Sequence, residues 1–219
     1  MSLTLTLNIS KRIEIKKAKN IRRIKKELNM KIEKIKKSKT KEIGKKIEYF
    51  EQIDSTHKYA KKIALENEEN GKIIIADMQT AGIGTKGRTW YSGKAKNIAM
   101  SIILKPKIKI KKLEGLTIKI ANCMKKSIYE LYNIDLNIKE PNDLLLNNKK
   151  ICGILTEINT IGEKINYLII SIGFNVNEDN FSTEIKDIAI SLKSEFKRDF
   201  TREEIIIKFI ENLEKELEF

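Results

Sequence analysis

Apolar residues recur at Ile21, Ile24, Leu28, Ile32 and Ile35, three or four positions apart, which predicts an amphipathic helix with basic residues over most of its other faces. From Ile47 the pattern becomes one of short strands and amphipathic helices. Residues 47–53 read as a strand. Asp54-Ser55-Thr56 offers N-cap candidates for a helix running to about Asn70, with Gly71 as its stop. Residues 72–79 (KIIIADMQ) are rich in β-branched side chains and read as a buried strand, and 80–96 as a polar loop of a length that is uncommon unless functional. A strand at 97–105 is followed by an amphipathic helix at 110–131. Strands at 136–139, 143–146 and 150–157 come next, with Asn147-Asn148 as a two-residue hairpin turn. A long strand at 164–176, a short helix at 187–196 and a final helix striped by Ile205, Phe209, Leu213 and Leu217 complete the chain. Hairpin-linked strands with helices between groups of them predict an α+β fold with a mixed, largely antiparallel sheet and flanking helices.

Composition changes this picture little and charge changes it locally. Of 219 residues 41% are hydrophobic, enough for a sizeable core. No apolar run approaches the roughly 20 residues of a membrane span, and no secretory h-region is visible. The two cysteines, Cys123 and Cys152, lie in no CxxC or Cys/His pattern, so the expectation is a reduced cytoplasmic protein without structural zinc. The net charge is +14, but residues 1–46 carry 17 Lys and Arg against 4 Asp and Glu. The body is therefore nearly neutral, which argues against nucleic acid as the partner of the whole fold. The expected division is a basic helical segment over 1–46, without a complete winged helix-turn-helix, and a catalytic domain over 47–219. A solvated helix packed by its stripe is the plain reading of the segment; an arm for nucleic acid or an acidic partner is the alternative.

Four places carry groups suited to chemistry. QTAGIGTKGRTW at 79–90 follows a strand directly, and its glycines with Lys86 and Arg88 suit close backbone approach to an anion, although the GK[ST] ending of a P-loop is absent. KEPND at 139–143 and Lys150 flank a hairpin, so Lys139, Asp143 and Lys150 are candidates to share a cavity; a plain hairpin is the other reading. DSTH at 54–57 reads locally as helix capping, with His57 as a surface or satisfied residue. GFN at 173–175 places Asn175 at a strand end, to bond a ligand or to cap the strand.

Taken together, the segments resemble the biotin protein ligase family. The family pattern D-S-T-N, Q-x-x-G-R-G-R-x-G-R-x-W, N-L-x-x-S, K-W-P-N-D, K-x-x-G-I-L-x-E and G-x-N is similar to DSTH at 54–57, QTAGIGTKGRTW at 79–90, NIAMS at 97–101, KEPND at 139–143, KICGILTE at 150–157 and GFN at 173–175. The resemblance spans residues 45–219. It implies the fold shared by biotin and lipoate ligases and class II aminoacyl-tRNA synthetases. It also implies an ATP-dependent ligase that forms biotinyl-5'-AMP and passes biotin to a lysine of a biotin carboxyl carrier domain, with Mg2+ accompanying ATP and a homodimer among the assemblies it allows.

By the same resemblance Lys150 is the main catalytic lysine, with Lys139 and Arg88 assisting. Ser55, Thr56, Gln79, Gly82, Gly84, Trp90, Lys150 and Gly153 are expected to form the biotin site. Lys86, Arg88, Asn142, Asp143 and Asn175 are expected at ATP, with Asp143 at the metal. The chain departs from the family at Ile83 and Thr85, which replace loop arginines, at Glu140, which replaces Trp, and at His57, which replaces Asn; the expectation is weaker retention of the adenylate. The small C-terminal SH3-like domain of the family is expected to be absent. A lipoate or octanoate ligase of the same fold is the alternative, as is a non-catalytic biotin- or adenylate-binding or nucleic-acid-binding regulator.

Overall fold

A computed structural model describes residues 30–66, 70–91 and 93–217. The chain divides into two units between Met30 and Lys31, and the second, from Lys31 on, is compact. Ile21, Ile24 and Leu28 of the expected stripe lie outside the described residues. The second unit begins with α1 (Ile32–Lys36), whose Ile35 is buried, as is Ile43 after it. It therefore starts earlier than the boundary expected at residue 46. Carboxylates of the last helix hold this stretch by its backbone: Glu203 accepts from Lys31 N at 2.7 Å, Glu211 from Lys39 N at 2.8 Å, and Glu214 from Glu42 N and Ile43 N, both at 2.9 Å. Burial works to raise the Glu214 carboxyl, but these amide donors outweigh it and hold the group below the usual carboxylate range.

The chain then runs through β1 (Ile47–Phe50), α2 (Thr56–Leu65), β2 (Ile73–Ala76), β3 (Ile98–Leu104), α3 (Leu116–Tyr132), β4 (Asn137–Lys139), β5 (Asp143–Leu146), β6 (Lys149–Ile161), β7 (Lys164–Phe174), α4 (Leu192–Phe196) and α5 (Arg202–Leu217). The strands form one seven-stranded sheet in the order β1-β2-β3-β7-β6-β5-β4, in which only β1 and β2 pair parallel. The α+β fold with a mixed, largely antiparallel sheet is as expected. Ser55 caps α2 by accepting from Lys58 N at 3.4 Å, and Ala60, Ile63 and Ala64 of that helix pack on Ile74, Ile103, Tyr167 and Ile169. Helix α3 packs on β4, β5, β6 and α5.

Three expected helices are shorter than their patterns. The one expected to reach about Asn70 ends at Leu65, with Glu66 as its C-cap. Residues 110–113 form a separate 3-10 turn, because Gly115 takes φ +69 and breaks the helix before Leu116. Within 187–196 only Leu192–Phe196 is helical, started by a capping box between Ser191 and Ser194. Residues 188–190 are drawn instead against the sheet: Ile188 O accepts from Lys150 N at 2.7 Å and Ile190 N donates to Lys150 O at 3.0 Å. Asn147 and Asn148 take φ 49 and 62, the left-handed pair that a tight hairpin needs.

Next to this framework, Arg202 at the start of α5 places its guanidinium 2.7 Å from Asp77 Oδ1 and 3.2 Å from the Asn97 carbonyl, while Tyr49 donates to Asp77 Oδ2. Both charged side chains are buried. Losing one member of such a pair leaves the other charge uncompensated, so Asp77→Ala should lower the unfolding free energy by about 3–5 kcal/mol in urea titrations. A change under about 1 kcal/mol would show that the pair does not fasten α5.

Candidate active site

The site follows from strand register. Ala99 pairs with Gly173, and Gly173 with Gly153; one step along, Ser101 pairs with Ser171, and Ser171 with Leu155. Alternation along strands puts both rows on the sheet face that carries α2. The first row has almost no side chain and two of the three residues of the second carry a hydroxyl, so the sheet offers a bare floor beside a polar wall. Asp143 pairs with Gly153 and shares that face. Lys150 lies three residues from Gly153 and would point to the far side of a regular strand. A bulge between the Leu144–Cys152 and Leu145–Lys150 pairs adds one residue and returns Lys150 to the cleft face. Its ammonium then lies 2.6 Å from Asp143 Oδ1, an ion pair that lacks hydrogen-bond alignment.

The cleft, about 410 Å³ and open to solvent, is lined by Thr56, Gln79, Gly84, Trp90, Asn142, Lys150 and Gly153 among the expected residues. Trp90 occupies its floor. A Cβ on Gly153 would stand 2.8 Å from the indole Cζ3, and one on Gly173 would overlap the ring. Lys150 Nζ sits 5.5 Å from the ring centroid, within cation–π range. The indole Nε1 is buried with no hydrogen-bond partner among the described residues.

Most of the remaining expected residues stand behind or beyond the cleft lining. Ser55 is fully buried and its hydroxyl caps α2. Gly82 stands behind the cleft, where a Cβ would meet Trp90 O at 2.6 Å and Gln79 Nε2 at 2.9 Å, so its bareness lets the loop close on Gln79. Lys86, at φ 57, and Arg88 are exposed at the loop tip, and Arg88 folds back to donate to Thr85 Oγ1 at 2.8 Å and Thr85 O at 3.2 Å. Asn175 supports Lys150: its amide N donates to Ile151 O at 2.8 Å and its Nδ2 reaches Lys150 O at 3.5 Å. Lys139 pairs with Asp143 across β4 and β5 and so shares its face, but its side chain is exposed outside the cleft lining. Asn142 lines the cleft while its Nδ2 donates to Ile154 O at 3.1 Å. Among the described residues no three His, Cys, Asp or Glu side chains gather as a metal site. Cys152, beside Gly153, is fully buried and burial pushes its thiol far above its ordinary range, which removes it as a nucleophile.

The polar wall was not legible from the motifs one at a time. Gln79 Oε1 accepts from Thr56 N at 2.9 Å and from Thr56 Oγ1 at 3.1 Å; Ser101 Oγ donates to Thr56 Oγ1 at 2.9 Å and lies 2.8 Å from Ser171 Oγ. Ser171 Oγ lies 2.9 Å from His57 Nδ1, and His57 Nε2 lies 3.0 Å from Glu157 Oε2. Lys61 pairs with the other oxygen of Glu157 at 2.7 Å. His57, read as a surface or satisfied residue, is buried and lines the cleft with Ser171. The missed signal was pairing: only the register of β3 with β7 brings Ser101 and Ser171 to His57.

Residues 49–175 match the family model described as the biotin/lipoate A/B protein ligase family. The bifunctional ligase/repressor BirA of Bacillus spizizenii is 42% identical over 156 residues, covering 70% of this chain and 48% of the relative. The biotin–[acetyl-CoA-carboxylase] ligase of Paracoccus denitrificans is 31% identical over 132 residues, covering 56% of this chain and 51% of the relative. The chain thus spans about half the length of these relatives. Among solved structures, the biotin protein ligase from Aquifex aeolicus in complex with biotin and ATP superposes with a TM-score of 0.69 at 29% identity, over 80% of this chain and 71% of that one.

Trp90 is the only tryptophan of the chain, so its emission reports on the cleft floor alone. Gly153→Ala should lift the indole into solvent, shifting the emission to the red and raising iodide quenching. Emission unchanged from that of the parent chain would show that the indole does not rest on Gly153.

Proposed function

The chain belongs to the biotin/lipoate A/B protein ligase family, and from that membership we propose that it is a biotin–protein ligase acting on biotin, ATP and a biotin carboxyl carrier domain. The observation that carries this reading is a cation and a polar wall facing one another across a floor of glycines, with Lys150 at one end and Thr56 and Gln79 at the other. In the first step a biotin carboxylate oxygen attacks the α-phosphorus of ATP, the bond to the bridging oxygen breaks, and pyrophosphate leaves. In the second, the amine of a carrier lysine attacks the acyl carbon of the mixed anhydride; an amide forms, AMP leaves and the amine proton is lost to solvent.

Both reactants of the first step are anions, so a fixed cation lowers the barrier as charge gathers on the α-phosphate. Lys150 is the cleft-lining cation whose backbone is held on both sides, by β5 and by residues 188–190. Such preorganisation is what electrostatic stabilisation needs, since no dipole must be reoriented during the reaction. Asp143 restrains the ammonium before the substrates arrive. A single carboxylate fits magnesium only when phosphate oxygens and water complete the shell, so the metal would arrive with ATP and screen its phosphates, with Asp143 as the protein ligand. Lys86 and Arg88 on the loop tip would reach the phosphates after the loop closes. With Thr85 bonded to Arg88 rather than supplying a guanidinium of its own, one phosphate contact is lost, which favours looser adenylate retention.

The wall of Thr56, Gln79, Ser101 and Ser171 favours a ligand with a polar head over a plain acyl chain. Lipoate or octanoate would leave the Gln79 amide nitrogen facing hydrocarbon, at a cost of about 1–3 kcal/mol for that stranded donor. Two free, buried cysteines suit a reducing compartment, in keeping with a cytoplasmic ligase. No helix among the described residues is long and apolar enough to cross a membrane.

The test is ATP- and biotin-dependent labelling of a purified carrier domain. Lys150→Ala should lower the rate of biotinyl-AMP formation by about 10²–10³, the scale of losing one transition-state charge contact. Labelling at the unaltered rate would overturn the assignment of Lys150.

A further inference from the structure

Counting protons along the polar wall fixes the state of its histidine. Thr56 N–H must donate, which identifies the Gln79 atom facing it as the oxygen, and Thr56 Oγ1 contacts that same oxygen. At the other end Glu157 is a carboxylate. Burial works to raise it, but the Lys61 ammonium, which can only donate and lies 2.7 Å from Oε1, opposes burial, and the group is held below the usual range, so it accepts. Between these two fixed acceptors run five side-chain contacts: Thr56 to Gln79, Ser101 to Thr56, Ser101 to Ser171, Ser171 to His57 Nδ1, and His57 Nε2 to Glu157. Each needs one proton. Thr56, Ser101 and Ser171 supply three. The other two must come from the imidazole.

We infer that His57 is held as an imidazolium and is a positioning residue: its two ring protons set the direction of the hydroxyl chain, so that every hydroxyl donates toward Gln79 Oε1, the oxygen that Thr56 N–H already turns inward, and the Gln79 amide nitrogen, a pure donor, is left for an acceptor group on the ligand. The ligand half of this statement rests on the proposed function. The proton count does not. In sequence each hydroxyl donates toward Gln79: His57 to Ser171, Ser171 to Ser101, Ser101 to Thr56, Thr56 to Gln79. A neutral ring would leave one contact with two lone pairs facing each other in a buried setting, where Ser101 is fully enclosed and Thr56 and His57 nearly so. The titratable groups around the ring are Glu157 on β6, Lys61 on its own helix beyond Glu157, Tyr167 on β7 beside Lys61, and Lys150 at the far end of the cleft. The ligand class selected is one that brings a carbonyl oxygen, such as a urea or amide, to Gln79.

The chain has a single histidine, so 15N-histidine labelling of the full chain without ligand reads His57 alone. At about pH 7.5 both ring nitrogens should carry protons. Ser171→Ala removes two contacts and one proton, so a neutral ring protonated at Nε2 then satisfies the count. Glu157→Gln supplies an amide donor to Nε2, so a neutral ring protonated at Nδ1 satisfies it. The two variants should therefore show opposite neutral tautomers, a result that loss of packing alone would not produce. A bare ring nitrogen in the unaltered chain, or one tautomer in both variants, overturns the inference. Biotin should bind Ser171→Ala about fivefold more weakly, the factor for one hydrogen bond of about 1 kcal/mol, and equal affinity would refute the positioning role. Failure of the unaltered chain to bind biotin would sink the ligand reading instead, since the nitrogen pattern is read without it.

Discussion

Cross-strand register between β3, β7 and β6 lines up Ala99, Gly173 and Gly153 in one row and Ser101, Ser171 and Leu155 in the next. A slip of one residue in any of these strands would send its share of both rows to the other face of the sheet. The buried partners of the sheet enforce the register: Ile103, Tyr167 and Ile169 belong on the face that α2 covers, and they sit at even spacing from the serines. Packing beneath the helix thus decides chemistry at the cleft. The bare floor, the hydroxyl wall and the seat of Trp90 all depend on that one alignment.

Lys150 obeys a different constraint. On a regular strand it would face away from the glycine three positions on, and the bulge in β5–β6 is what turns it inward. Bulges loosen a ladder, and here the loosened edge is pinned from outside by residues 188–190 and by Asn175. The site therefore combines a strand irregularity that aims the cation with two remote segments that stop it moving. Its electrostatics are closed before any ligand enters, since Lys150 faces Asp143 and His57 faces Glu157.

Much of this was readable in the sequence and some was not. The strand runs, the Asn147-Asn148 turn and the ordered motifs are local signals, and they carried the fold class and the family. The helix expected at 187–196 failed over its first half because 188–190 are claimed by pairing with Lys150, a tertiary demand that no local propensity records. Gly115 divided the 110–131 pattern for a local reason that periodicity overlooks. At the site, Thr56, Gln79, Trp90 and Lys150 were found from motifs, whereas Ser101 and Ser171 look like ordinary strand serines until β3 and β7 are aligned. His57 was discounted because one histidine at a helix start is locally uninformative; its meaning lies in partners 100 and 114 positions away.

The carboxylates of α5 that grip residues 31–43 join positions separated by 171–172 residues. During synthesis those amides leave the ribosome long before Glu203, Glu211 and Glu214 exist, and they wait for partners until the chain has grown past residue 214. The sheet can assemble in the meantime from hairpins, whose contacts are nearer in sequence. The strap thus acts as a closing latch, set only when the last helix arrives, and a ribosome stalled before that point would present a formed sheet with its N-terminal flank still open to proteases.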